Sequence, residues 1–247
     1  MRRFPIALAG AAVAACLAAS VGPATARAAT PGGLPDGVPP AALKPEPALP
    51  IPNSWPFPDA FPHTSGASRL VGGALEYSGF LYGDHGAAGF QVSQPVAGLA
   101  PTVGTYVYPA GPAAANGANI FRAAVGLTPS GSWWRVDWNT LNDPKVPIAE
   151  FGIDTGEGST TTHWPAGAGI TSQGLSTAIV VSAKGAWLVE PATGQRTPLP
   201  DPVIDMSARS FVVAVPSSVL SPTGTWRVRL AAGLADPTGE SLSLIHI

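Results

Sequence analysis

Short runs of alternating apolar and polar residues, separated by turn residues, constrain the fold of this sequence more than any other feature. The clearest run covers residues 133–140. Within it apolar and charged side chains take turns, in the order Trp134, Arg135, Val136, Asp137, Trp138. A period of two places alternate side chains on opposite faces of a β-strand. This run is therefore predicted to be a strand with one buried face.

Similar runs recur along the chain, and turn residues lie between them. The 247 residues include 29 glycines and 28 prolines, which favour short elements and many turns over long helices. About nine or ten short strands at this spacing predict an all-β fold, either a two-sheet sandwich or a barrel. The candidate strands are residues 70–77, 105–108, 120–127, 133–140, 147–154, 175–182, 186–190, 211–215 and 226–230.

The N-terminal residues 1–28 are predicted to be a signal peptide. Arg2 and Arg3 precede an apolar stretch rich in alanine, and residues 24–26 and 26–28 both fit the A-x-A cleavage pattern. Secretion is the expected outcome. The alternative is a lipoprotein anchored through Cys16, because residues 13–16 also match a lipobox. Cys16 is the single cysteine, so cleavage after it leaves a chain that only a hydrophobic core can hold together.

Residues 29–65 form a proline-rich linker ahead of the predicted β-sandwich domain, residues 66–241. Such proline density opposes helices and strand ladders and favours extended polyproline conformation. Trp55, Phe57 and Phe61 are too apolar for a free linker. We expect them to pack on the domain that follows, and a stacking site for a ligand is the alternative.

Residues 242–247 read Leu-Ser-Leu-Ile-His-Ile, which is what the transposon adapter of sequencing libraries encodes when translated. We expect the natural protein to continue past Ser241, and His246 is given no role. The alternative is a terminal strand, since the apolar residues alternate.

The sequence carries no common catalytic motif. It has no nucleophile elbow, no H-E-x-x-H pair, no Walker loop and no dinucleotide-binding glycine pattern. A net charge of −2 without a basic cluster argues against nucleic-acid binding. Paired carboxylates for glycoside hydrolysis are conceivable among Asp137, Glu150, Asp154 and Glu157, but charges on strand faces and in a loop are the favoured interpretation. We predict no catalytic residue, and whether the parent protein is an enzyme stays open.

Six segments follow one another in an order that resembles a known family. They are residues 80–84, 104–109, 119–122, 134–138, 153–155 and 211–216. The order resembles the DOMON-like module found at the C-terminus of glucodextranase and in other secreted bacterial proteins. The resemblance spans roughly residues 66–236. It implies an immunoglobulin-like β-sandwich associated with carbohydrate binding or attachment to the cell surface, sometimes with bound calcium.

The resemblance and the oxygen-rich loops together suggest a calcium site. The acidic cluster of the family corresponds to Asp84, and its acidic position before the second strand corresponds to Asn119. Asp154 begins a glycine-rich acidic loop, whose carboxylate and carbonyl oxygens suit calcium. His85 and the amide of Asn119 replace acids of the family pattern, and ordinary turns explain the same loops. Calcium is therefore the weakest of these expectations.

Sugar rings stack on flat apolar surfaces, so aromatic side chains are the candidates for a glycan site. Trp134 and Trp138 share a predicted buried face, whereas polar or turn residues flank Trp133 and Trp164. We therefore predict that Trp133 and Trp164 bind carbohydrate or cell-wall glycan in a secreted, non-catalytic module. The alternative is an accessory domain at the N-terminus of a secreted hydrolase, such as an α/β-hydrolase, whose catalytic domain follows. An exposed row of aromatics favours the first, and an apolar patch favours the second.

Overall fold

The structure is a computed structural model that describes residues 50–59, 67–78, 118–138, 141–156, 163–167, 169–221 and 223–245. Within these ranges the fold is all-β, with twelve strands in two antiparallel sheets of six strands each. No helix in these ranges is long and apolar enough to cross a membrane. The predicted signal peptide, Cys16, Phe61 and Asp84 lie outside the described residues.

The first sheet has the strand order β1-β2-β3-β4-β10-β9. Every neighbouring pair is antiparallel, and β3 and β4 form a hairpin in which Val125 lies opposite Trp134. Its strands are β1 Ala67–Val71, β2 Ala74–Ser78, β3 Ile120–Thr128, β4 Gly131–Trp138, β9 Val203–Asp205 and β10 Ser210–Pro216.

The second sheet has the order β12-β11-β5-β6-β7-β8 and is also antiparallel. Its central strand β5 pairs with β11 on one side and β6 on the other. Its strands are β5 Pro147–Asp154, β6 Thr177–Ser182, β7 Gly185–Val189, β8 Arg196–Pro198, β11 Arg227–Ala235 and β12 Leu242–Ile245.

The main core lies between the two sheets, and alternation along the strands places its side chains there. Trp134, Val136 and Trp138 of β4 are fully buried, as the period of two predicted. Trp134 meets Phe151 of β5 edge-on at 5.2 Å between ring centroids. One cluster joins these residues to buried side chains of β6 and β10. The two sheets therefore pack face to face as a β-sandwich.

The outward faces of both sheets are covered as well. The outer face of the first sheet carries a small cluster around Trp55, which comes from the proline-rich linker. The outer face of the second sheet carries another cluster, to which residues 163–167 and 169–175 contribute Trp164, Ala166 and Leu175. Strand β4 is consequently buried on both faces, and its charged residues lie beneath other parts of the chain.

The sequence prediction of an all-β fold with two sheets is confirmed, and residues 147–154 are a strand with those bounds. Residues 70–77 are not the single strand that we expected. They form β1 and β2, because Gly72 and Gly73 adopt positive φ angles of 55° and 97° and close a hairpin. Candidate strand 105–108 lies outside the described residues. Residues 242–245 pair with β11, which leaves the adapter origin of residues 242–247 a prediction.

Candidate functional site

The outer face of the first sheet gathers aromatic and charged side chains in two adjacent cross-strand rows. Gly126, Trp133 and Ala214 lie side by side across β3, β4 and β10. Two residues further along β4, Arg135 lies between Ala124 and Val212. Trp133, Arg135 and Asp137 point to this face because their neighbours Trp134 and Val136 fill the core.

Residues 50–59, here called the strap, lie on this face. Trp55 is 5% exposed and packs against Ala74, Ala124 and Val212. The ring of Phe57 lies over Gly126, where an added Cβ would collide with it. The prediction that Trp55 and Phe57 pack on the domain is confirmed.

A buried cluster of charges joins the strap to the sheet. Arg135 donates from Nη1 to both carboxylate oxygens of Asp59 at 2.7 and 2.8 Å, and from Nε and Nη2 to Asp137 at 2.7 Å each. Arg122 bridges the same two acids, with Nη1 at 3.0 Å from Asp59 and Nε at 2.8 Å from Asp137. Glu76 of β2 is a third buried acid, with its Oε2 at 3.9 Å from Arg122 Nη1, so two arginines are held among three carboxylates.

The cluster is shielded from water. The side chains of Arg122, Arg135, Asp59 and Asp137 are all less than a tenth exposed. Burial opposes the charge of Arg135, but Asp137 and Asp59 outweigh it and raise the pKa of the guanidinium above its ordinary value. The ring of Trp55 adds a cation–π contact, 5.5 Å from the Arg135 guanidinium carbon. Arg135 is therefore a permanent cation at the centre of this face.

Beside this cluster lies an aromatic pair, Phe57 and Trp133. Both are partly exposed and pack against the cluster around Trp55. They are neighbours because Phe57 covers Gly126, which faces Trp133 across the β3–β4 ladder. Trp133 thus remains a candidate for stacking on a sugar. Phe57 is a second candidate for stacking. The sequence did not identify it, because its position beside Trp133 depends on the pairing register of β3 and β4.

Trp164 is not exposed, contrary to the expectation from its polar neighbours. It is 6% exposed, its indole nitrogen donates to Ser172 Oγ at 3.0 Å, and its ring packs over Gly152 of β5. Residues 163–167 and 169–175 form a cover on the second sheet, and Trp164 anchors that cover. A tryptophan that packs a loop onto a sheet has the same flanking residues as an exposed one, so the sequence pattern could not separate the two.

The predicted calcium ligands are not brought together within the described residues. Asp84 lies outside them, Asn119 precedes β3 of the first sheet, and Asp154 ends β5 of the second sheet. Asp154 accepts hydrogen bonds from Gly156 N at 2.9 Å and from Arg227 Nη1 at 3.2 Å. The described part of the chain contains no group of three or more potential metal ligands. Calcium binding stays a prediction.

The fold separates Asp137 from the other described carboxylates considered for glycoside hydrolysis, Glu150 and Asp154, which both belong to β5. Asp137 lies on the outer face of the first sheet, and Glu150 lies on the outer face of the second, with the core between them. Glu157 is outside the described residues. Glu150 is fully buried, and burial raises its pKa from 4.5 to about 7 although Ala166 N donates to it. Asp137 and Glu150 therefore cannot act on one sugar.

A second surface feature is an apolar edge made by Leu70, Tyr77 and Leu127. A cross-strand row leads from buried Trp134 to Val125 and Leu75, and ends at Leu70, which is 74% exposed. Tyr77 and Leu127 lie on the same side of the sheet and are 39% and 38% exposed. The apolar inner surface of the first sheet thus continues to the edge strand β1.

Comparison with known proteins leaves the family open. No protein-family model matches the chain. No curated protein matches it significantly in sequence.

Proposed function

We propose that this chain is a non-catalytic module of a secreted protein that binds carbohydrate through the outer face of its first sheet. The observation that carries the proposal is the aromatic pair: the Phe57 ring lies over Gly126, the cross-strand neighbour of Trp133, and both rings are partly exposed. Flat rings of this kind provide the apolar surface on which a sugar ring stacks. The resemblance to the DOMON-like module of glucodextranase supports the same function.

The arrangement beneath the pair suits binding. Gly126 leaves space for the Phe57 ring, and Trp133 is held between two strands that are buried on their other face. Rings fixed by a sheet lose little conformational entropy when a ligand stacks on them. The neighbouring charges of Arg135 and Asp137 already neutralise each other, so the face can accept a glycan without an unpaired buried charge.

The test is a binding screen with one matched pair of variants. Cellulose, chitin and peptidoglycan are used in pull-down assays, and starch, xylan and polygalacturonate in affinity electrophoresis. Stacking that covers about 100 Å² of Trp133 is worth about 2.5 kcal/mol at about 25 cal/mol per Å². We therefore expect Trp133→Ala to weaken binding more than tenfold.

Trp187→Ala is the control, because Trp187 is also half-buried but lies in the second sheet under Arg196. Near-UV circular dichroism establishes that both variants fold. A bound polysaccharide whose affinity is the same in Trp133→Ala as in the wild type would contradict the proposed face. No binding to any of the six polysaccharides would contradict the function.

A second candidate function has its own observation, the apolar edge. Exposed aliphatic side chains that continue a core without polar ligand groups are typical of a surface that packs on another domain. We propose as the alternative that the module is the accessory domain of a larger secreted hydrolase and docks on it through Leu70, Tyr77 and Leu127.

The alternative is tested by sequencing the parent gene across the codon for Leu242. A reading frame that continues into a domain with a nucleophile elbow or paired acids supports docking. That domain, produced separately, should then bind the present chain, and Leu70→Ser should weaken the complex. A stop codon within a few residues would exclude this function.

A further inference from the structure

The strap is attached to the sheet by side chains. Among the described residues its only backbone hydrogen bond is internal, from Trp55 N to Pro52 O at 2.9 Å. The strap therefore adds no strand to the sheet, and its hold on the face consists of the contacts of Trp55, Phe57, Pro58 and Asp59. A segment held in this way can leave without breaking a β-ladder.

The carboxylate of Asp59 is bound as a ligand carboxylate would be. Arg135 reaches both of its oxygens through Nη1, and Arg122 reaches Oδ2 from the other side at 3.0 Å. The two-nitrogen fork of Arg135 is directed at Asp137, so Asp59 receives single nitrogens from two arginines, in short charge-assisted hydrogen bonds of the strong kind. Asp137 holds both arginines in place from the sheet, so the receiving groups are positioned without help from the strap.

Polar atoms near this contact have no protein partner. Ser54 Oγ and Trp55 Nε1 in the strap, and Ser210 Oγ in β10, are buried without a hydrogen bond. Ser210 lies directly opposite Asp137 in the β4–β10 ladder. Buried hydroxyl and indole groups in native proteins nearly always have a partner. Of these atoms only Ser210 Oγ belongs to the sheet, so it is the group that stays in place to meet a polar ligand when the strap leaves.

We propose that Arg122 and Arg135 form a carboxylate-binding site that Asp59 fills from within the chain, and that an acidic glycan competes with the strap for it. This inference rests on the proposed function, because Trp133, which stays on the sheet beside Arg135 when the strap leaves, is what makes the ligand a sugar. The uronate carboxylate replaces that of Asp59 between the two arginines. Its ring stacks on Trp133, and the strap is released together with Phe57.

The strap then sets the affinity of the site. A ligand that binds only when the strap is released has an apparent affinity reduced by the fraction of molecules in that state. Weakening the hold of Asp59 should therefore tighten the binding of an acidic glycan, while a neutral glycan gains nothing from an emptied arginine site. Tighter binding of the acidic glycan with unchanged binding of the neutral glycan distinguishes this inference from stacking on the aromatic side chains alone.

The first experiment uses the full chain with Asp59→Gly, which removes the carboxylate and leaves its space. Sodium acetate should raise the melting temperature of this variant and leave the wild type unchanged, whereas acetamide should affect neither. Adding Arg122→Gln to Asp59→Gly should abolish the acetate effect. Equal responses to acetate and acetamide would overturn the carboxylate site.

The second experiment uses Asp59→Asn, which keeps the side-chain size and is the variant to use if the glycine variant does not fold. We expect polygalacturonate to bind it at least about tenfold more tightly than the wild type, and fully methyl-esterified polygalacturonate to bind both equally. Equal binding of polygalacturonate to both proteins, or none, would overturn the inference. Binding of poly-L-glutamate as tightly as polygalacturonate would overturn its assignment to glycans.

The two proposals fail separately. A neutral polysaccharide whose binding depends on Trp133 but not on Asp59 would retain the proposed function and refute the inference. Acetate rescue without binding of any polysaccharide would retain the arginine site and refute the glycan as its ligand.

Discussion

Replacing Glu150 by glutamine should remove a loss of stability that the protein undergoes as the pH approaches neutral. Glu150 lies in β5 with no solvent exposure. Its Oε1 accepts from Ala166 N at 3.1 Å, while its Oε2 has no hydrogen-bond partner. Burial raises the pKa from 4.5 to about 7, and the Ala166 hydrogen bond and the charge of Arg196 oppose only part of this.

The sign and size follow from proton linkage. A raised pKa means that the folded protein holds the proton more tightly than the unfolded chain does. The stabilisation is complete below about pH 4.5 and is lost as the pH rises to about 7. The difference between about 7 and 4.5, at about 1.4 kcal/mol per pH unit, amounts to about 3–4 kcal/mol.

Glutamine has the shape and neutrality of the protonated acid and can accept the same hydrogen bond from Ala166. Glu150→Gln should therefore match the wild type at pH 4.5 and exceed its free energy of unfolding by up to about 3–4 kcal/mol at pH 8. Urea unfolding followed by tryptophan fluorescence from pH 4.5 to 8.5 measures the difference. Glu190→Gln, at an exposed site directly after β7 of the same sheet, controls for the change in net charge. Parallel curves for Glu150→Gln and the wild type would refute the reasoning.

Three further predictions concern the core, the strap and the metal. Phe151→Ala should lower the free energy of unfolding by about 3–5 kcal/mol in urea titrations, because it empties a site beside Trp134 between the sheets. Gly126→Ala should push Phe57 off the sheet and lower the melting temperature measured by circular dichroism, and an unchanged melting temperature would contradict the packing of the strap. Calcium should raise the melting temperature relative to chelator by mass action, and identical melts would exclude the predicted site.

The strands were predictable where one face of a strand meets the core. The alternation around Trp134 predicted correctly which face of β4 is buried, because a period of two leaves a single way to bury both Trp134 and Trp138. Strands of three residues such as β8 and β9 were missed, since so few positions show no periodicity. The hairpin between β1 and β2 was missed although Gly72 and Gly73, between two apolar runs, are the residues that a two-residue hairpin turn favours.

The candidate site was predictable only in part. Trp133 was identified from its polar neighbour, but the same rule failed for Trp164, which a loop buries against Gly152. The charge cluster was missed altogether. Asp59 is 76 residues from Arg135, and pairing across that distance depends on the register of β3 and β4 and on the path of the strap.

Covering both outer faces explains how a chain with 11% charged residues comes to bury several of them. A sandwich with two open faces would hold its polar side chains in water, but here the strap and residues 163–167 and 169–175 remove that water. The covers of the two sheets lie over different charged groups. Asp59 brings a carboxylate to two arginines, whereas the cover over Glu150 offers its acid one backbone hydrogen bond. A charged ligand can therefore replace the contacts that are lost when the strap is released. On the second sheet, the stability of the covered structure depends instead on whether Glu150 is protonated.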